Sequence, residues 1–190
     1  MVRGVLQITV PDVEFYDERT NTFGTIRGGT LNLEHSLLSI SKWESKWHKP
    51  YIESPNLPKS KQKTKEEQLD YIRCMCLDKN VDPMLFRFIP AESLIRIKAY
   101  IDDPMTATWI NDVDDKKSNN EIITSELIYY WMIALEIPFE CQKWHLNRLL
   151  MLIRVCNKKQ QPRKKMSKRE IMSRNRALNA ARRNRTGSKG

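Results

Sequence analysis

Alternating apolar residues open the chain. In "LQITVPDVEFYD" Leu6, Ile8 and Val10 fall on one side of a strand, and Pro11 ends it because proline has no N–H to give a ladder. Further on, "TFGTIR" and "TLNLEH" flank Gly28 and Gly29, a pair that supplies the positive φ angles of a tight hairpin turn. That turn would pair Ile26 with Leu31 and Gly24 with Leu33, making one face apolar. An antiparallel sheet of about three strands is expected over 6–35.

The period then changes from two to that of a helix. In "SLLSISKWESKW" Leu37, Ile40, Trp43 and Trp47 recur at helical spacing, and Pro50 is expected to stop the run. Thr64 and Glu67 form the T-x-x-E box that opens a second helix through "EEQLDYIRCMCL". Asp82 and Pro83 suit the start of a short helix in "DPMLFRF", and "AESLIRIKAYI" continues the helical series. A short strand is expected around 106–109. The stretch "SELIYYWMIALEI" is apolar almost all round, which predicts a central helix over 125–137 buried on every side. Pro138 breaks direction before "FECQKWHLNRLLMLIRVCNKK", whose Lys143, Asn147, Arg154 and Lys158 line one stripe opposite an apolar face. The two segments should form a helical hairpin. Ser167 and Glu170 make a second capping box, so the end of the chain is expected to be helical too.

Charge separates that end from the rest. Of 33 Lys and Arg, 13 lie in 157–190 against the single acid Glu170, leaving 20 basic residues against 22 acidic ones in the body. The net charge of +10 is therefore a property of the tail. Cys74, Cys76, Cys141 and Cys156 stand in apolar or helical settings and read as reduced thiols. No apolar leader follows Met1, and the longest near-continuous apolar run, 127–137, is too short to span a bilayer. A cytosolic protein without membrane contact is expected.

Candidate chemistry is sparse. Cys141 and His145 lie four apart on one helical face, with Cys74, Cys76 and His48 elsewhere, but the paired short-spaced ligands of structural zinc are missing. Asp102, Asp103, Asp112, Asp114 and Asp115 could gather around Mg²⁺, yet they lack the turning glycine of a calcium loop, and Lys116 and Lys117 offset them. With His35, His48 and His145 as the only histidines, and no nucleophile elbow or phosphate-cradling loop, no enzyme, cofactor or metal is expected. The tail carries the richest pattern. Ile171 and Leu178 stack seven apart with Ala181 near them, and Arg169, Arg176 and Arg183 form a separate stripe. A phosphate grip has no use for the apolar seam, so a protein groove is the favoured partner. The plainer alternatives are a solvated helix lying back on its own body, and nucleic-acid binding through the arginines alone.

The blocks "LNLEHSLLSISKWESKWHKP" (31–50), "PMTATW" (104–109), "EIITSELIYYWMIA" (121–134), "PFECQKWHLNRLL" (138–150) and "MSKREIMSRNRALNAARR" (166–183) resemble a family of tailed-bacteriophage proteins encoded among tail genes and described as tail assembly chaperone-like. "ITVP" and "FYDERT" near the start belong to the same resemblance. It implies a non-enzymatic role: holding the helical tape measure protein, whose apolar stripe would otherwise aggregate, until tail-tube subunits assemble around it. The family brings no catalytic residues. Helical spacing within the matching blocks marks Lys42, Glu44 and Lys46, and Arg169, Arg174, Arg176 and Arg183, as surface-directed positions for a partner, beside Ile171 and Leu178.

The expected architecture is α+β and mostly α: a small N-terminal antiparallel sheet packed on a helical domain, with a basic C-terminal helix. Residues 1–157 form one domain, β-rich over 1–35 and helical over 36–157, and 158–190 form a basic linker, helix and tail. The expected function is phage tail morphogenesis in the host bacterial cytoplasm, with phage tail proteins as partners and self-association possible. The alternatives are a structural virion component, such as a connector or tail-completion subunit, and a nucleic-acid-binding protein.

Overall fold

The computed structural model describes residues 4–19, 21–52, 63–110, 122–160 and 168–187. The protein is α+β and mostly α, with two two-stranded antiparallel sheets and six α-helices among those residues. The chain divides into two compact units, Met1–Asn157 and Lys158–Gly190.

The strands are β1 (Leu6–Val10), β2 (Val13–Asp17), β3 (Thr22–Ile26) and β4 (Gly29–Leu33). Their pairing differs from the expected hairpin at Gly28 and Gly29. β1 pairs with β4, placing Leu6 opposite Leu33 and Ile8 opposite Leu31, while β2 pairs with β3. One register runs through both ladders, since Val10 faces Gly29 where the first ends and Val13 faces Ile26 where the second begins. The four strands therefore make one long ribbon that reverses between Asp17 and Thr22 and breaks at Pro11. Neither Gly28 nor Gly29 has a positive φ; Asn21 does, at 55°, beside the actual reversal. Gly28 serves a different purpose. A Cβ on Gly28 would lie 2.2 Å from the Val10 carbonyl oxygen, so only glycine lets the two arms pass where the ribbon breaks.

Helix α1 (Leu37–Trp47) follows β4 and shares one core with the ribbon. Leu37, Ile40 and Trp43 are fully buried with Ile8, Leu31 and Leu33. The helix stops before Pro50, at His48, whose left-handed backbone (φ 52°) lets its N–H reach the Glu44 carbonyl at 2.8 Å. In α2 (Lys65–Met75) the expected capping box is present: Glu67 N–H donates to Thr64 Oγ1, and Thr64 N–H donates to Glu67 Oε2. After α2 the chain runs extended beside β4, with Glu34 N–H donating to the Met75 carbonyl and Leu77 N–H to that of Asn32, both at 2.9 Å. Asp78 seals this join. Its carboxylate accepts the Asn32 backbone N–H at 2.7 Å and side-chain amide at 2.8 Å, which holds its pKa below the usual range.

A 3-10 turn (Leu85–Phe88) follows, its start braced by Met84 N–H donating to Asp82 Oδ1, and then α3 (Ala91–Asp102) packs on β1. The expected strand around 106–109 does not form. Helix α4 (Ser125–Ala134) packs on α1, and α5 (Leu146–Gln160) closes the unit with Leu149 and Ile153 in the core. Between them a 3-10 turn (Phe139–Lys143) and the extended residues Trp144 and His145 replace the expected helical hairpin. Leu146 N–H donates to the His35 carbonyl at 2.9 Å, which ties α5 to the strand end rather than to α4. In the second unit α6 (Lys168–Thr186) ends at Gly187, whose φ of 64° is the left-handed conformation that terminates helices. Ser167 lies outside the described residues. No described helix is long and apolar enough to cross a membrane.

Candidate binding surfaces

Helix α4 departs from the expectation of burial on every side. Ser125, Ile128 and Met132 are buried, but Tyr130 is 63% exposed and Ile133 62% exposed. Glu126, Tyr130 and Ile133 stand at i, i+4 and i+7, so they form one row along the outer side. Phe139, 53% exposed, widens that row, its ring 6.5 Å from that of Tyr129. The Tyr129 hydroxyl donates to Gln142 Oε1 at 3.0 Å and fixes the ring that joins the two parts. The physical reason for the difference is supply: α1 packs on one side of α4, while Tyr130 and Ile133 on the other stay exposed.

The block around α1 places its three surface-directed positions differently from one another. Lys42 is exposed, and Lys46 is exposed with its Nζ 2.6 Å from Asp70 Oδ1. Glu44 is buried. Its Oε1 accepts the Tyr51 N–H and its Oε2 the Ser125 N–H, each at 2.7 Å, so it ties the chain after α1 to the first turn of α4. Glu44 is thus a structural brace and not a partner contact. Residues two apart on a helix point about 200° apart, which is why Glu44 cannot share a face with Lys42 and Lys46. Its i−4 neighbour is the core residue Ile40, and that spacing was the available signal.

On α6 the sequence-predicted positions lie together on a helix exposed at every residue whose side chain is described. Ile171 is 44% and Leu178 47% exposed, and Arg169, Arg174, Arg176 and Arg183 are exposed as well.

The residues weighed for chemistry are held otherwise. Among the described residues no group of three His, Cys, Asp or Glu side chains could hold a metal ion, and Asp112, Asp114 and Asp115 lie outside those residues. His145 is buried with Nε2 2.8 Å from the Tyr100 carbonyl. His35 is buried beside it, ring centroids 4.9 Å apart, with Nδ1 2.5 Å from the Tyr71 hydroxyl. Burial, then the charge of His145, lowers the pKa of His35 to about 3, so both rings stay neutral. The four cysteines are free thiols. Burial pushes Cys74, Cys76 and Cys141 up, away from the reactive thiolate. A shallow depression of about 340 Å³ beside the Gly28 corner is lined by Arg27, Asn80 and Asp82 and has neither histidine nor cysteine in its wall.

No family model, curated protein or solved structure matches the chain.

Proposed function

We propose that the chain is a non-enzymatic binding protein of phage tail assembly, a tail assembly chaperone-like protein that holds the helical tape measure protein. The uncovered apolar face of α4 is the observation that carries this reading: Tyr130 and Ile133 stand in water three positions apart on the helix, and Phe139 is exposed in the turn that follows, on a well-packed body. The resemblance of the blocks over 31–50, 104–109, 121–134, 138–150 and 166–183 supplies the tail-assembly context. Each such anchor contributes about 1.5–3 kcal/mol when fully covered. Association itself costs about 4–15 kcal/mol, so a few anchors give reversible binding, which suits a protein that must release its client. The exposed arginines of α6 would meet an acidic rim on a second tail protein.

Co-expression with the tape measure protein tests this. Wild-type chain should keep the client soluble, and Ile133→Asp should lose it while its own circular dichroism stays unchanged. A client equally soluble with either form rejects the reading. Purified virions separate the structural alternative: the chaperone is absent from them, whereas a connector or completion subunit is present at fixed copy number. Nucleic-acid binding is favoured by one observation, the exposed Arg169, Arg176 and Arg183 stripe. In that case affinity should fall steeply with salt and survive Leu178→Asp.

A further inference from the structure

We propose that the outer face of α4 takes an amphipathic helix of another polypeptide whose apolar stripe is bordered by lysine or arginine. The inference rests on the client-binding reading and adds the client's chemistry. The face is a straight row, Glu126, Tyr130 and Ile133, extended sideways by Tyr129 and Phe139. Such a row matches apolar anchors spaced i, i+3 or i+4, and i+7 on a facing helix.

Charge selects which helix. Between 122 and 142 the sequence has no Lys or Arg, and its three acids, Glu126, Glu136 and Glu140, are all exposed. The nearest cation in sequence is Lys143, at the far end of the 3-10 turn. A face whose own segment, 122–142, carries three exposed carboxylates and no cation repels an acid-bordered partner and attracts a basic-bordered one. The same charges count against two copies meeting through this face. A two-fold contact is self-complementary, so it would gather six carboxylates, three from each copy, around one apolar seam.

Two designed helical peptides with the same leucine stripe, one bordered by lysine and the other by glutamate, can be titrated against the full-length chain by fluorescence anisotropy. The lysine peptide should bind at least about tenfold tighter, with the gap shrinking as salt rises. Ile133→Asp should weaken that binding by about tenfold or more, and Glu136→Lys with Glu140→Lys should reverse the preference. Equal affinity for the two peptides overturns the inference, and so does lysine-peptide binding indifferent to Ile133→Asp. If the tape measure protein itself ignores Ile133→Asp, the client-binding reading fails with it.

Discussion

His35 and His145 show how single residues set the limits of this fold. Their rings meet edge to face in the core, and the Nδ1 of His145 has no hydrogen-bond partner among the described groups. Unfolded histidine takes up a proton below about pH 6.5, whereas folded His35 resists until about pH 3, and folded His145 is also lowered, by burial first. Both groups therefore bind more protons when unfolded. Their stabilisation is complete above about pH 6.5 and is lost as the pH falls below it, for His35 down toward about 3. From His35 alone the unfolding free energy should drop by about 2 kcal/mol between pH 7 and pH 5. Urea midpoints at the two pH values measure it, and a flat response contradicts the neutral buried pair. At this scale the sequence was readable where the interaction was local. The Thr64 and Glu67 box spans three residues and forms as expected, but the reach of Glu44 to Ser125 crosses 81 positions and left no local mark.

Among the elements, the ribbon is the plainest case of a local pattern with a non-local meaning. Two glycines between two β-like runs are a strong hairpin signal, yet β1 takes β4 as its partner, and the reversal falls at Asn21 instead. Alternation is equally well served by either pairing, because both put Ile8, Leu31 and Leu33 in the core. What decides is the crossing at Pro11, where Gly28 N–H donates to Asp12 Oδ1 at 2.6 Å and the backbones come too close for any side chain. Gly28→Ala should thus cost about 2 kcal/mol or more, because the clash is with backbone atoms that cannot turn aside. Gly29→Ala should be nearly neutral, since nothing lies within 4 Å of its Cβ position. Thermal unfolding of the two variants separates this ribbon from a turn at the glycine pair, in which both would suffer. Helix α4 repeats the lesson. Its sequence says that it wants cover all round, and only the surrounding chain says that α1 gives it half.

For the whole molecule the relevant division is between the unit over 1–157, which holds the core, and the basic unit that follows it. Among the described residues, all 23 buried core residues lie in the first unit, the last of them Ile153. A chain ending at Asn157 should keep its urea midpoint, with a change in unfolding free energy within about 0.5 kcal/mol. It should also lose retention on a cation-exchange column, because 20 basic residues then face 22 acidic ones. A large fall in the midpoint would show that 158–190 contributes to the stability of the body.

By itself the sequence determined the α+β class, helices α1 to α3 within a few residues, the cap of α2, and the gathering of positive charge in 158–190. These depend on neighbours three or four positions away, or on composition, and both are present in any short window of the chain. Tertiary structure alone decided which strands pair, that Glu44 is a buried brace, and that the outer row of α4 is left in water. Each of these depends on which distant segment arrives to cover or accept a group. An identical local pattern is compatible with either outcome until the chain has folded.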